Sequence, residues 1–307
     1  MKRAVTKQIV IIDGKWCAYR HHFAHLKLSS GGKPTGMFYG FLTELLKINK
    51  KLPEARIIIC WDGEKKTWRH KAYPAYKANR AFNPEYEKMQ WQIHQLIPIL
   101  RLLGLWVLQL DEVEADDMIG MVASNLARHG HEVRIFSKDR DLFQLLDNNV
   151  WAWHDLDQKP LKVKDVERWL GAPMNAFLDI RAMAGDPGDG LKGLPGVGLK
   201  TAVKLWKQGL RVVGFYASGS ALVKKYDEHW RRVFKERQMA KIITDPRSEV
   251  WTKETSSVLV DLLKRVATRP GRDGEWAERH RREIYGFLGQ YELKELLAER
   301  HKLFRLP

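Results

Sequence analysis

The sequence predicts an α/β fold with a parallel-rich central sheet, followed by a mostly helical C-terminal region. Two runs rich in β-branched residues, at 9–12 and 55–61, have the composition of buried strands, and Asp-Gly follows each of them. Segments with helical spacing of apolar residues separate the predicted strands, and this alternation is typical of a parallel sheet. From Val163 onward the pattern is mostly helical, with glycines concentrated between Gly185 and Gly198.

The predicted elements alternate along the first half of the chain. Strands are expected at 9–12, 55–61, 106–110, 132–137 and 150–153. Helices are expected at 35–49, 84–103 and 114–129, the second of them containing Pro98. We therefore expect an α/β core over residues 1–170 and a helical region over residues 171–307.

The charge of the chain favours a polyanionic partner. It has 53 Lys and Arg against 37 Asp and Glu, a formal net charge of +16. The excess is concentrated after residue 189, where 25 Lys and Arg face 14 Asp and Glu. Nucleic acid is the commonest partner of such a surface, although charge alone is also compatible with a role in solubility.

Other features of the composition exclude several classes of protein. The two cysteines, Cys17 and Cys60, lie among apolar residues, which predicts buried thiols rather than a disulfide or a cysteine-based zinc site. The N-terminal apolar run is too short for a signal peptide. No run of about 18 apolar residues exists, so no membrane span is expected.

Carboxylates follow three of the predicted strands. Asp13 and Asp62 end the first two, and Asp139 and Asp141 come just after the fourth. Ligands of open α/β sheets bind beyond the carboxyl ends of the strands, so these acids should converge. The helix start at 114–117 and the turn at 185–190 add further acids. Taken alone, these two segments also fit a charged helix start and an ordinary turn. The complete set is Asp13, Asp62, Glu114, Asp116, Asp117, Asp139, Asp141, Asp186 and Asp189.

Nine carboxylates in one cleft require neutralisation. Two unit charges about 4 Å apart repel by about 4 kcal/mol at an effective dielectric of 20, and several such pairs would exceed a typical stability of about 5–15 kcal/mol. Either many of the acids are protonated or cations neutralise them. Oxygen ligands without Cys or His favour Mg²⁺ or Mn²⁺. Two such ions about 4 Å apart are a known arrangement for phosphodiester cleavage, in which one generates hydroxide and both stabilise the transition state.

A basic and aromatic segment follows Asp62. The stretch from Glu64 to Arg80 contains WRHKAYPAYKANR, in which aromatic and cationic residues alternate as in surfaces that bind splayed nucleic-acid strands. Lys77 and Arg80 are three residues apart and would face one way on a helix, where they could neutralise a scissile phosphate. Without the acids nearby, a solvated basic loop would remain the alternative.

A glycine-rich turn precedes an apolar helix. GLPGVGLKTA, from Gly193 to Ala202, allows a close backbone approach to a phosphate, and the helix that follows offers free N–H groups. This pattern indicates a helix–hairpin–helix over about 190–208, which grips a DNA backbone without reading sequence. An ordinary helix–helix turn is the alternative.

Together these segments resemble the 5′-nuclease, or flap endonuclease, family in its bacterial and bacteriophage branch, which includes the nuclease domain of bacterial DNA polymerase I. The resemblance spans about two thirds of the chain, from Ile9 to Trp206. It is carried in order by IIDGKWCAYR, CWDGEKKTWRHKAYPAYKANR, VEADDMIG, FSKDRDLFQLL and GDPGDGLKGLPGVGLKTA.

The resemblance implies a fold and a set of site residues. It implies a PIN-like core with a helical arch at about 64–95, and two divalent ions. The first ion would be held by Asp13, Asp62, Glu114, Asp116 and Asp117, and the second by Asp139, Asp141, Asp186 and Asp189. Catalytic roles are expected for Lys77, Arg80, Asp13, Asp62 and Asp117. DNA contacts are expected from Arg69, Tyr76, Lys77, Arg80, Gly193, Gly196, Gly198, Lys200 and Thr201. Backbone carbonyls at 193–198 would hold K⁺.

The implied function is 5′–3′ exonuclease and flap endonuclease activity in replication or repair. The implied substrates are 5′ flaps and nicked or branched duplex DNA, with RNA–DNA hybrids as a further class. We expect a cytoplasmic monomer of a bacterial cell or a phage-infected host, without an attached polymerase. Two alternatives remain open: a non-catalytic DNA-junction-binding protein of the same fold, and an RNA-processing nuclease. The chain departs from many relatives at Lys138, Gly190 and Lys192, but none of these changes removes a carboxylate.

Overall fold

A computed structural model describes residues 8–79, 83–213, 226–268 and 274–306. Its centre is a five-stranded sheet in the order β5-β4-β1-β6-β7, and every neighbouring pair of strands is parallel. The sheet strands are β1 (Gln8–Asp13), β4 (Arg56–Trp61), β5 (Trp106–Gln109), β6 (Glu132–Phe136) and β7 (Val150–Trp153). The predicted α/β fold is therefore confirmed, and each predicted strand lies within two residues of an observed one.

The described helices are more numerous than those predicted. In chain order they are α1 (Gly14–Ala24), α2 (Gly36–Lys51), α3 (Trp68–Ala72), α4 (Pro84–Leu102), α5 (Ala115–Arg128), α6 (Val163–Leu170), α7 (Phe177–Ala184), α8 (Leu199–Lys207), α9 (Trp230–Ala240), α10 (Lys253–Thr268), α11 (Gly274–Arg279), α12 (Arg281–Gln290), α13 (Lys294–Ala298) and α14 (Arg300–Leu303). The short antiparallel pair β2 (Ser29–Ser30) and β3 (Lys33–Pro34) was not predicted, because two-residue strands leave no periodic pattern.

The central strands are apolar throughout because helices cover both faces of the sheet. Val10 and Ile12 point into one buried cluster with α1, α2 and α4. Ile9 and Ile11, which alternate with them, point into a second cluster with α5 and α10. All four side chains have no exposed surface. At about 25 cal/mol per Å² of apolar surface, this two-sided burial is the main force that holds the sheet together.

The C-terminal segments return to the sheet. Apolar residues of α12, including Ile284 and Phe287, join the cluster that contains Phe38. A third cluster unites α6, α7, α8 and the start of α9 with Phe143 and with Ala152 of β7. This third cluster places the glycine-rich turn beside the carboxyl ends of the strands.

Two further sequence predictions can be compared with the structure. Cys17 and Cys60 are buried and not disulfide-bonded, as expected. Along the described ranges, no helix is both long enough and apolar enough to cross a membrane.

Candidate active site

The acidic site begins at the carboxyl end of β1. Asp13 ends this strand and caps α1, since its Oδ1 accepts from the amide of Trp16 at 3.0 Å. Its Oδ2 accepts from the hydroxyl of Ser137, which follows β6, at 2.9 Å. The same hydroxyl accepts from the amide of Asp139 at 3.0 Å. The parallel pairing of β1 and β6 therefore brings Asp13 and Asp139 to one edge of the sheet.

Asp62 connects β4 to the start of α5. Its Oδ1 accepts from the amide of Ala115 at 2.9 Å, and its Oδ2 accepts from Nζ of Lys15 at 2.8 Å. Burial raises the pKa of Asp62, but the charge of Lys15 and the Ala115 amide outweigh it, so the net pKa is lowered. Asp62 is therefore ionised and already paired with a side-chain cation.

Three other acids are held near one another without such a pairing. Burial, and then the charges of Asp139 and Asp62, raise the pKa of Asp13 to about 7 against the hydrogen bonds from Trp16 and Ser137. Burial and the charges of Asp139 and Asp13 raise the pKa of Asp116. Burial also raises the pKa of Asp139, with Asp189 and Asp186 adding to the effect. Asp13, Asp116 and Asp139 thus form a group of buried acids whose charges interact and in which no member forms an ion pair within the described residues.

A guanidinium bridges two acids of the predicted second metal site. Nη2 of Arg181 lies 2.6 Å from Oδ1 of Asp141 and 2.6 Å from Oδ2 of Asp186. Burial raises the pKa of Asp141 to about 6, although the charge of Arg181 opposes this shift. Oδ1 of Asp186 accepts from the amide of Gly188 at 2.9 Å, which closes the turn at 186–190. Sequence reasoning missed Arg181, whose only signal was a cation five residues before Asp186 on a predicted helix.

Arg69 does not face solvent, contrary to the DNA contact expected of it. Its side chain is 2% exposed, and its donors are fully engaged inside the protein. Nη1 donates to Glu114 at 3.1 Å and to Asp117 at 2.7 Å, and Nη2 donates to Asp117 at 2.8 Å. Nε and Nη2 also donate to the carbonyls of Met239 and Lys241, each at 2.7 Å. Arg69 therefore joins the acidic site to the end of α9.

Asp117 is also enclosed, which does not fit the metal and catalytic roles expected of it. It has no exposed surface, and both oxygens are engaged by Arg69. Oδ1 also accepts from the amide of Ile243 at 2.9 Å, and Oδ2 from the indole of Trp68 at 3.2 Å. An oxygen that already accepts two hydrogen bonds has little capacity left to bind a metal ion. In this structure Asp117 instead holds Arg69, Trp68 and the backbone at Ile243 together beneath the acidic site.

Tyr76 and Lys77 lie between the acids and the turn at 186–190. Tyr76 is 4% exposed, and its hydroxyl donates to Oε2 of Glu114 at 3.1 Å, so its ring is not open to a stacked base. Nζ of Lys77 lies 3.6 Å from the same oxygen. The Lys77 amide donates to the carbonyl of Asp189 at 3.0 Å while its φ is +56°. This bond holds Lys77 in a conformation that non-glycine residues rarely adopt.

The predicted arch corresponds to α3 and the first half of α4. Arg80, the second expected cation of this segment, lies outside the described residues. A cavity of about 550 Å³ lies beneath these helices. Lys15, Asp62, Lys77, Glu114 and Tyr86 all line it. The cavity therefore opens from the arch helices onto the acidic edge of the sheet.

The glycine-rich turn connects α7 to α8. Gly193 and Gly196 have φ values of +63° and +69°, which favour glycine. Gly196, Gly198, Lys200 and Thr201 carry exposed surface at the start of α8. Gly193 is buried instead, because its amide donates to Glu236 at 2.9 Å and its carbonyl accepts from Arg232 at 2.8 Å. The exposed half of the turn, rather than Gly193, is open to a phosphate.

The described carboxylates are not arranged around a common metal-binding point. Among the residues that the structure describes, no group of three or more His, Cys, Asp or Glu side chains is arranged to hold a metal ion. Lys15, Arg69, Lys77 and Arg181 instead contact Asp62, Asp117, Glu114 and the Asp141–Asp186 pair. Side-chain cations therefore supply part of the neutralisation that was expected of metal ions.

Known structures share this fold. A bacteriophage T5 5′-exonuclease with bound zinc superimposes with a TM-score of 0.71 and 18% identity, covering 85% of this chain and 100% of that one. A bacteriophage T5 flap endonuclease, solved as a pseudo-enzyme–product complex with DNA and metal ions, gives a TM-score of 0.70 with 17% identity over 86% of this chain and 100% of that one. At this identity the likeness establishes the architecture.

Sequence relatives establish the family. The family described as 5′-3′ exonuclease, N-terminal resolvase-like domain, matches residues 8–171. The 5′-3′ exonuclease of Aquifex aeolicus is 32% identical over 301 residues, which cover 97% of this chain and 97% of that protein. The thermostable DNA polymerase I of Thermus caldophilus is 33% identical over 306 residues, and the chain spans 33% of its length. For the polymerase of Thermus filiformis the identity is 39% and the share of its length is 23%. The chain therefore belongs to the 5′-nuclease family, together with these 5′–3′ exonucleases and bacterial DNA polymerases I.

Proposed function

We propose that this chain is a structure-specific 5′ nuclease, acting as a 5′–3′ exonuclease and flap endonuclease on DNA with the help of divalent metal ions. The observation that carries the proposal is the group of Asp13, Asp116 and Asp139. Burial and the neighbouring carboxylates raise the pKa of each, which supports a cluster of acids at the carboxyl edge of the sheet that a cation would stabilise in the charged form. Acids that repel one another in a half-buried cleft are suited to binding a hard cation.

The donor set fits Mg²⁺ or Mn²⁺. Asp13, Asp62, Asp116 and Asp139 offer only carboxylate oxygens, and small side-chain movements would let an ion draw them together. Asp141, Asp186 and Asp189 would serve a second ion. Glu114 and Asp117, which Arg69 holds, would support the first group from behind. A divalent ion in this place supplies Lewis acidity and an activated water for hydrolysis of a phosphodiester.

The remaining residues would place the DNA. Nζ of Lys77 lies 3.6 Å from Oε2 of Glu114, and its charge lowers the pKa of Asp62 and opposes the rise in the pKa of Asp116. In this position Lys77 would bind the phosphate next to the bond to be cut. The exposed amides and side chains at 196–201 would grip the duplex backbone, with K⁺ on the carbonyls of the turn. Arg80 is proposed as the second cation of the arch.

The biological setting is part of the same proposal. We propose removal of 5′ flaps or primers during replication or repair, by a cytoplasmic monomer that acts on nicked or branched DNA and on RNA–DNA hybrids. The T5 relative solved with DNA and metal ions supports a DNA substrate. We also propose that residues 171–307 form the region that binds DNA, with the glycine-rich turn near its N-terminal end.

A cleavage assay tests the proposal directly. With a 5′-labelled flap substrate, Mg²⁺ should permit cutting and EDTA should abolish it. Asp139→Asn keeps the acceptor for the Asp141 amide, which lies 2.8 Å from Oδ1, but removes a charge from the acid group. We expect its single-turnover rate to fall by about 100-fold while flap binding measured by anisotropy is maintained.

The control for this test is Asp261→Asn, which removes a charge from an exposed residue on α10. It should cut at the wild-type rate. Cleavage that survives chelation would contradict the metal-dependent mechanism. Tight flap binding with no cutting in any divalent metal would instead identify a junction-binding protein.

The dependence of metal binding on pH provides a second test. In the metal-free protein the pKa of Asp13 is about 7, above its ordinary value of 3.8, so the folded state binds the proton more strongly than the unfolded state. This contribution to stability is lost as pH rises from about 4 through about 7. Below pH about 7 a proton on Asp13 also competes with the metal. We therefore expect 5 mM Mg²⁺ to raise the melting temperature more at pH 8 than at pH 5.5. An equal rise at both values would remove Asp13 from the ligand set.

A further inference from the structure

Arg181 holds a fixed position between two acids of the proposed second ion site. Arg181 lies on α7, and the neighbouring residues Ile180 and Met183 have no exposed surface. Because these residues pack into the third cluster, the backbone position of Arg181 is well determined. Its Nε donates to Oδ1 of Asp141 at 2.9 Å, and its Nη2 lies 2.6 Å from both Asp141 and Asp186. The guanidinium is 21% exposed and remains charged at any working pH.

Arg181 and the Gly188 amide together use three of the four carboxylate oxygens of Asp141 and Asp186. Oδ1 of Asp141 and Oδ2 of Asp186 accept from Arg181, and Oδ1 of Asp186 accepts from the Gly188 amide. Asp13, Asp116 and Asp139 differ from Asp141 and Asp186, because none of these three forms an ion pair within the described ranges. The two halves of the acidic site are therefore unequal: a guanidinium bridges Asp141 and Asp186, whereas on the other side Lys15 pairs with Asp62 alone and leaves Asp13, Asp116 and Asp139 without an ion pair.

We propose that Arg181 is the resident cation of the Asp141–Asp186 pair and makes this half of the site the weaker of two divalent-ion sites. The proposal rests on the proposed function, since it assumes that the acids bind divalent ions. The first ion binds the half formed by Asp13, Asp116 and Asp139. The second ion enters only when the guanidinium moves aside toward solvent, for which its partial exposure leaves a path.

Electrostatic repulsion explains why the Asp141–Asp186 site should bind a divalent ion more weakly than the other site. A divalent ion that approaches Asp141 meets repulsion from a fixed positive charge a few ångströms away, in surroundings where water screens little. It must also displace charge-assisted hydrogen bonds, which are among the stronger ones in proteins. An ion at the other half displaces no hydrogen-bonded guanidinium, because Asp13, Asp116 and Asp139 form no ion pair within the described residues. The charge of Lys77 acts on Asp116, and that of Arg181 on Asp139, only from a longer distance.

Mn²⁺ binding to the DNA-free protein tests the proposal without any reaction. We would compare the wild type with Arg181→Met by titration with Mn²⁺, using electron paramagnetic resonance to count free ions. The wild type should bind one ion tightly and a second at least about 10-fold more weakly. Arg181→Met, which removes the charge but keeps much of the side-chain length, should tighten the second site by at least about 10-fold. Arg181→Lys should keep the second site weak.

The matched control is Arg237→Met. Arg237 pairs with Asp179 at 2.6 Å and is 22% exposed, almost the same as Arg181, but it lies outside the acidic site. This variant should bind Mn²⁺ as the wild type does. If Arg181→Met does not fold by circular dichroism, Arg181→Gln provides the same removal of charge with hydrogen-bond donors retained.

Two results would overturn the proposal while leaving the proposed function intact. Unchanged binding of the second ion in Arg181→Met would show that the guanidinium does not compete with it. A weaker second site in the variant would show that Arg181 holds the two acids in position for the ion. Failure of every variant and of the wild type to bind Mn²⁺ would overturn this proposal and the metal-dependent function together.

Discussion

Replacing Arg69 by Met should lower the free energy of unfolding by about 3–5 kcal/mol, a large part of a typical total of about 5–15 kcal/mol. The reason is that Asp117, which has no exposed surface, would lose the partner that contacts both of its oxygens. Glu114 and the carbonyls of Met239 and Lys241 would lose donors as well. Urea denaturation followed by circular dichroism measures the change.

Two control variants distinguish the loss of the buried Arg69–Asp117 pair from the loss of an exposed ion pair. Arg265→Met breaks the exposed pair with Asp261, whose side chains are 45% and 64% exposed, and should cost less than about 1 kcal/mol. Adding Asp117→Leu to Arg69→Met removes the stranded charge and should recover part of the loss. Equal destabilisation by the buried and the exposed variants would contradict the organising role of Arg69.

A further variant, Asp117→Asn, distinguishes two roles for Asp117. If Asp117 supports the site from behind, Asp117→Asn should lower stability at every metal concentration. If it is a metal ligand, as the resemblance implies, Asp117→Asn should chiefly weaken Mg²⁺ binding and leave the metal-free protein stable. Thermal unfolding with and without Mg²⁺ distinguishes the two outcomes.

Replacing Glu236 by Ala should weaken duplex binding by about 10-fold or more, with a smaller effect on the cutting rate at saturating DNA. Glu236 has no exposed surface, and its carboxylate accepts from the amides of Lys192 and Gly193 at 3.0 and 2.9 Å. It also accepts from the hydroxyl of Tyr73 at 3.1 Å and from Arg232 at 2.9 Å. Without it, the glycine-rich turn loses its anchor to α9 and to the residues that follow α3.

The measurement for Glu236 separates binding from chemistry. Anisotropy with a fluorescent nicked duplex gives the dissociation constant, and single-turnover kinetics gives the rate of cutting. Glu236→Gln retains one acceptor oxygen and should lie between the wild type and Glu236→Ala. Glu228→Ala, which alters an exposed residue near the start of α9, serves as the control. A variant that cuts slowly while binding normally would contradict a role in holding the turn.

The strands and the positions of several acids follow from the sequence because their signals are local. Ile9 to Ile12 form an uninterrupted apolar run, which is typical of a strand covered on both faces. Parallel pairing then requires Asp13 and the residues after β6 to lie at the same edge, whatever the details of packing. The C-terminal helices were predicted only as helical, because nothing local indicates that Ile284 packs beside Phe38.

By itself the sequence determined that this chain has a parallel α/β core of the 5′-nuclease family, with acids at its carboxyl edge and a glycine-rich turn behind them. The tertiary structure alone decided which cations meet those acids. Arg69 and Asp117 are 48 residues apart, and Arg181 reaches Asp141 across 40 residues. Such pairings depend on how helices dock on the sheet, which no periodic pattern records. This is why Arg69 was expected on the DNA surface and why Arg181 was not expected at all.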